Sequence, residues 1–240
     1  MIKHSVLAAL AVLLVACNSS GSSSESAQET VGGASVSSYA PAPLTKETNS
    51  LALDWGSKAQ PNQFAIADVI TYGGPKTTIT APAGWTLIHD DSSPTTRQSL
   101  YWHTVAANDA STQTWNFSEP VDAQGAVLLL SNVDPASPID MSSGNTGTGG
   151  TLQAKPISTT GDADVILSFY ATDFHRPSLL GSSPQMPANT RTVVNQETAP
   201  EYWILATYQN HNGVTEEQVC VAAQIFNWTA AQVAIKHGRE

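Results

Sequence analysis

One grammar governs the chain from about Leu44 to its end: a short run rich in Val, Ile, Thr and aromatics, then a break of Gly, Pro, Asn, Asp or Ser. Segments 64–72, 85–89, 99–106, 114–117, 126–133, 165–172, 190–195, 202–208, 219–225 and 230–235 all have this form. β-Branched and aromatic residues fit a pleated, half-buried surface, and the breaking residues supply the φ values and local hydrogen bonds that reverse a chain. No window beyond the N-terminal segment keeps an apolar stripe of helical period for four turns. A helix-based or nucleotide-binding α/β fold needs such windows between its strands. The pattern therefore predicts an all-β, antiparallel β-sandwich, jelly-roll-like, of about ten strands. Charge agrees: only 12% of the 240 residues are charged, about half the usual ~25%, which excludes coiled coils and salt-laced helices. Ten basic against twenty acidic residues give a net charge of -10, so no nucleic-acid partner is expected, since clustered cations are what displace counterions from phosphates.

The first residues carry a different signal. Lys3 precedes an apolar run over 6–16 that ends at Cys17. Such a run is too short to cross a bilayer and has the length of a signal-peptide core. Its end, Leu14-Val15-Ala16-Cys17, resembles the lipobox of bacterial lipoproteins. That resemblance implies a signal peptide over 1–16 and lipidation of Cys17, with a thioether-linked diacylglycerol and an amide-linked acyl chain such as palmitate. Three acyl chains hold a protein on a membrane far more firmly than one. Residues 17–43, rich in Ser and Gly at their start, then form a tether, and 44–240 form the sandwich. Asn18, rather than Asp, follows the Cys; by analogy with sorting in two-membrane bacteria this points to the outer membrane or cell surface. With Cys17 acylated, Cys220 has no intrachain partner and is expected as a packed strand thiol.

The two halves of the body repeat each other. Strand 64–72, the aromatic strand at Tyr101-Trp102, the strand at Trp115 and the apolar run 125–130 find counterparts in 164–170, Tyr202-Trp203, Cys220 and 230–235. One sandwich of two related halves, about five strands each, follows, because a lone sheet leaves a face uncovered. Residues 134–150, stiff with Pro at the start and loose with Gly at the end, are expected as the crossing loop. Ala81-Pro82-Ala83-Gly84-Trp85-Thr86-Leu87-Ile88, the stretches 97–102 and 114–118, and Leu130-Ser131-Asn132-Val133-Asp134 with Pro138-Ile139-Asp140 resemble a widespread β-sandwich domain of bacterial secreted proteins and phage structural proteins. Asn132 stands where that domain usually has glycine. The resemblance implies a fold and an extracellular setting, and it carries over no catalytic residue.

Residues with chemical potential do not assemble into a known site. His89-Asp90-Asp91 alternate faces if extended, so the three do not converge, and a solvated turn is expected. Asp173-Phe174-His175-Arg176 with Asp162 and Asp164 lacks the spacing of a calcium loop, and His103, His175 and His211 lack zinc spacing. There is no G-x-S-x-G, Gly147 to Gly150 lead into a strand rather than a helix, and Glu216-Glu217 sit at a turn. No catalytic residue, metal or cofactor is therefore expected. The aromatics remain: Tyr101 and His103 alternate opposite Trp102, and Tyr202 and Tyr208 opposite Trp203. These four make the candidate aromatic binding face, of the kind on which sugar rings stack. The expected protein is a lipid-anchored surface lipoprotein with a non-enzymatic recognition or adhesion module for glycan or an envelope protein. The alternatives are a structural subunit of the envelope or a phage-like particle, and a hydrolase of unrecognised geometry.

Overall fold

The structure, a computed structural model, describes residues 34–161, 164–173, 190–198, 202–211 and 214–238; Cys17 lies outside the described residues. Among the described residues it contains eleven strands and no α-helix: β1 (Ser35–Asp54), β2 (Phe64–Thr71), β3 (Ile79–Thr80), β4 (Thr86–Ser92), β5 (Arg97–Thr104), β6 (Thr112–Ser131), β7 (Ile139–Ala154), β8 (Asp164–Thr172), β9 (Arg191–Thr198), β10 (Tyr202–His211) and β11 (Gln218–Ile235). The first half of the chain makes one sheet, ordered β1-β6-β2-β5-β4 with β3 beside β6, and the second half makes the other, ordered β7-β11-β8-β10-β9. All pairings are antiparallel. The all-β sandwich is thus present, and so are its related halves. Replacing β1, β6, β2, β5 and β4 by β7, β11, β8, β10 and β9 turns one path into the other. Across the interface β1 lies against β9 and β4 against β7, which are the same contact under exchange of the halves. The arrangement has the self-complementarity of a twofold dimer fused into one chain.

Alternation explains how the sheets meet. Phe64, Ile66 and Ile70 of β2 face Val165, Leu167, Phe169 and Ala171 of β8 in one apolar layer, joined by Leu128 and Leu130 of β6 and Val233 and Ile235 of β11. Asp68 interrupts this layer: it shares the inward face of β2 and is 2% exposed. The outer face of the first sheet is covered as well. β1 shifts register several times between Ala42 and Ser50, and its last residues pair with the start of β6, so Leu51, Leu53, Trp115 and Phe117 fold over Ala65, Ala67, Val69 and Leu129 as a second core. The second half repeats this device: Leu152 pairs with Cys220 as Leu51 pairs with Trp115. Cys220 and Leu152 there pack on Tyr170 and Trp228.

Three boundaries differ from the sequence expectation. Segments 114–117 and 126–131 belong to one bent strand, β6, which ends two residues before the expected 133, and 219–225 and 230–235 belong to β11. β1 begins at Ser35, so the sandwich starts within the segment expected as tether. β7 takes up Ile139–Ala154, which leaves only the start of the expected crossing loop outside a strand. Both unforeseen strands are sheet edges. Pro and Gly are tolerated there because one row of backbone groups faces away from the ladder.

Candidate functional site

β5 puts Tyr101 and His103 on the outer face of the first sheet, beneath the folded-over hairpin. Trp85 stacks on Trp55 at 5.7 Å and on His103 at 5.3 Å, and meets the edge of Trp115 at 4.9 Å. The indole N–H of Trp85 donates to Gln113 Oε1 at 3.2 Å. His103 is held at both nitrogens, Nδ1 against the Gly84 carbonyl at 2.9 Å and Nε2 against Asp109 Oδ2 at 2.7 Å. Burial acts to raise the Asp109 carboxyl, but its bonds from the Ala106 N–H and His103 outweigh this and hold it below the usual carboxylate range. The result is a closed aromatic box rather than an open face: Tyr101 is 6% exposed. The binding face expected at Tyr101 and His103 is corrected for Tyr101, which is buried, whereas His103 keeps a partly exposed edge. Alternation assigned them a common face, and the second core then covered it. Trp102, on the opposite face, stacks on Phe64 at 5.5 Å against the inter-sheet layer. Tyr202 and Tyr208 lie on β10 opposite Thr198 and Arg191; their side chains lie outside the described residues.

His89, Asp90 and Asp91 are part of β4, not of a turn. As alternation requires, they divide between two faces. His89 Nε2 meets Asp91 Oδ2 at 2.9 Å, whereas Asp90 accepts from Arg97 Nε at 2.9 Å and Ser99 Oγ at 2.8 Å. The bond to Asp91 raises the imidazole pKa, and partial burial offsets some of that rise. A Cβ at Gly144 of β7 would overlap His89 Nε2 and Asp91 Oδ2, so glycine there lets the pair settle against the facing edge strand.

Asp164 and Asp173, which their spacing gives no reason to group as a metal loop, lie apart. The two flank opposite ends of β8, which has 9 residues and is therefore about 30 Å long. Asp173 staples the halves together: it accepts from Thr95 Oγ1 at 2.5 Å and from the Asn227 backbone at 2.8 Å. Asp162, His175 and Arg176 lie outside the described residues. Asp164 instead joins Asp140 and Lys236. Lys236 Nζ stands 3.3 Å from Asp140 Oδ1, and the Asp140 side chain is 3% exposed. Thr160 donates to that carboxylate twice, through its backbone N–H at 2.5 Å and its hydroxyl at 2.6 Å. Burial alone would raise the Asp140 carboxyl; the Thr160 and Lys236 bonds outweigh it and hold the pKa low. Asp164, 1% exposed, receives no hydrogen bond from an amide or hydroxyl donor among the described residues; its polar neighbour is the Asp140 carboxylate. Burial first, then the neighbouring Asp140 carboxylate, push its pKa up to about 6.

No family model, curated protein or solved structure matches the chain. Its chemistry therefore rests on its own geometry. Among the described residues no three His, Cys, Asp or Glu side chains converge as metal ligands, and neither His89 nor His103 is bonded to a serine hydroxyl. The cluster that does converge, Asp140, Thr160, Asp164 and Lys236, escaped sequence reasoning because its members come from three separate strand ends and the β7–β8 connection. The usable signal was Pro138-Ile139-Asp140, singled out for its resemblance but not for its carboxylate.

Proposed function

We propose that this chain is a lipid-anchored surface lipoprotein whose β-sandwich serves as a non-enzymatic recognition or adhesion module for glycan or an envelope protein. The observation that carries the reading is the sequence Leu14-Val15-Ala16-Cys17 closing an apolar run behind Lys3, followed by a Ser-rich stretch that leads directly into an edge strand at Ser35. Ser35 pairs with Ser131, and Val133 bridges to His237, so a membrane tether enters at that end of the sandwich. The β2–β3 connection and the β4–β5 turn lie at the other end, tied to each other by the Gly74 N–H donating to the Thr95 carbonyl at 3.1 Å. On this reading the outward surface includes exposed Pro75, Lys76, Pro94 and Thr95.

The supporting chemistry is the internal satisfaction of the two described His–Asp pairs, which leaves each imidazole engaged with its own carboxylate. The test uses the full chain in detergent, on a glycan array and in pull-downs with envelope fractions. Binding that is retained in wild type and lost in Lys76→Glu supports recognition through the end opposite the tether. A hydrolytic turnover of any captured glycan, or binding to none of the surfaces offered, overturns the reading.

A further inference from the structure

At the tether end of the second sheet, the Asp140 carboxylate lies between Lys236 and Asp164, the three coming from three neighbouring strands. β11 lies between β7 and β8. Lys236 follows the last residue of β11, Asp140 is second in β7 and Asp164 is first in β8. Recognition at the opposite end of the sandwich makes no use of them. An amine faces a carboxylate at 3.3 Å. Two fixed donors from Thr160 grip the same carboxylate, and a third group, the almost fully buried carboxyl of Asp164, receives no amide or hydroxyl donor among the described residues and has that carboxylate as its polar neighbour. A buried carboxyl without such donors is costly to keep. Its neighbours here are the parts of an acyl-transfer site: a nucleophile, an electrophile, donors aimed at the electrophile's oxygens, and a proton carrier.

We propose that Lys236 Nζ becomes joined to Asp140 Cγ by an amide bond that the folded chain forms on itself, with Asp164 carrying the protons. The ammonium of Lys236 gives a proton to the Asp140 carboxylate it faces at 3.3 Å, and the Asp164 carboxyl on the other side of that group exchanges the proton with it. The freed amine attacks Cγ, and the Thr160 N–H and hydroxyl stabilise the oxygens of the tetrahedral intermediate as an oxyanion hole does. A second proton leaves the nitrogen by the same route. The Cγ–Nζ bond has then formed, one Cγ–O bond has broken, water has departed and Asp164 has returned to its starting state. Ammonium and carboxylate become amide and water, so no oxidant, reductant or activating group is required.

Holding the partners together supplies the driving force that free amine and acid lack, because well-oriented intramolecular pairs reach effective molarities of about 10⁵ M or more. Asp164 is suited to relay protons near neutral pH, since burial and Asp140 bring its pKa to about 6. Gly161 keeps the relay in place: a Cβ there would lie 2.6 Å from Asp164 Oδ1. The bond would lock the first strand of the second half to its last, so that a pull on the tether end could not peel β7 from β11.

The test is tryptic peptide mass spectrometry on the full chain, with circular dichroism confirming that each variant folds. In wild type, the peptide bearing Asp140 is expected joined to the one bearing Lys236, lighter than their sum by one water, with no cleavage after Lys236. Lys236→Arg, which keeps the ion pair but cannot condense this way, should give separate peptides, and Asp164→Asn should abolish or strongly slow joining. Folded wild type that yields separate peptides and cleaves after Lys236 overturns the proposal. So does a water loss confined to the Asp140 peptide, the mark of a succinimide. Joining undiminished in Asp164→Asn overturns the relay.

Discussion

Replacing Asp68 with Asn should stabilise the protein, and by an amount that depends on pH in a defined way. Asp68 stands on the inward face of β2 opposite Leu100 and Ala126, 2% exposed, with the Gln98 amide as its hydrogen-bond donor at 3.0 and 3.2 Å. Burial raises its pKa from 3.8 to about 7, against a smaller lowering by Gln98. The unfolded chain releases this proton near the ordinary value, while the folded chain holds it until near neutrality. Stability contributed by Asp68 is therefore full below about pH 4, declines as pH rises, and is gone above the folded value. The span is about 3 units, and at about 1.4 kcal/mol per unit the loss approaches 4 kcal/mol as an upper bound. Asn has the same shape and no charge to desolvate, and its N–H can serve Gln98 Oε1, which is buried without a partner. Urea denaturation of both proteins from about pH 4 to pH 8 measures the effect. The difference between variant and wild type should be near zero at the acid end and reach a few kcal/mol in favour of Asn at the alkaline end. Taking the difference cancels other titrating groups, Asp164 and His89 among them. A difference that is flat with pH, or that favours wild type at about pH 8, would refute the reasoning.

Three further outcomes follow from the same geometry. His89→Ala should cost stability in acid and progressively less in alkali, because the pKa raised above 6.5 by Asp91 gives a contribution present below the free value and lost as pH climbs through the folded one; a penalty that grows with pH in the same titration contradicts it. Trp115, 0% exposed in the second core, should cost about 3–5 kcal/mol on truncation to Ala, and a denaturation midpoint shift worth less than about 1 kcal/mol would mean the folded-over hairpin does not cover the sheet. Cys220, buried and with its thiol pushed up to about 12, should resist a thiol reagent in the native protein at about pH 8 and react once unfolded; rapid native reaction would place it at the surface.

The strands legible in the sequence were those whose own residues pay for burial. β2 and β8 carry unbroken buried runs, and their apolar composition announced them. β1 and β7 did not, since an edge strand ladders on one side only and accepts Pro41, Pro43 and the glycines of 144–150. The repeat between halves was legible down to the match of Trp115 with Cys220, because equivalent places in equivalent sheets keep similar spacing. Alternation also gave the parity of Tyr101 and Trp102 correctly. What it could not give was the state of the outer face, which depends on how β1 and β6 bend back over it. The Asp140–Asp164–Lys236 cluster was hidden for a related reason: adjacency of β7, β11 and β8 is a property of sheet order, which no local pattern encodes.

The claim on which the functional account depends most is attachment through Cys17. Growing an expressing bacterium with radiolabelled palmitate and comparing wild type with Cys17→Ala tests it directly. The account predicts label on wild type and none on the variant. Label persisting in Cys17→Ala, or absent from wild type while other lipoproteins of the same cells are labelled, would contradict it.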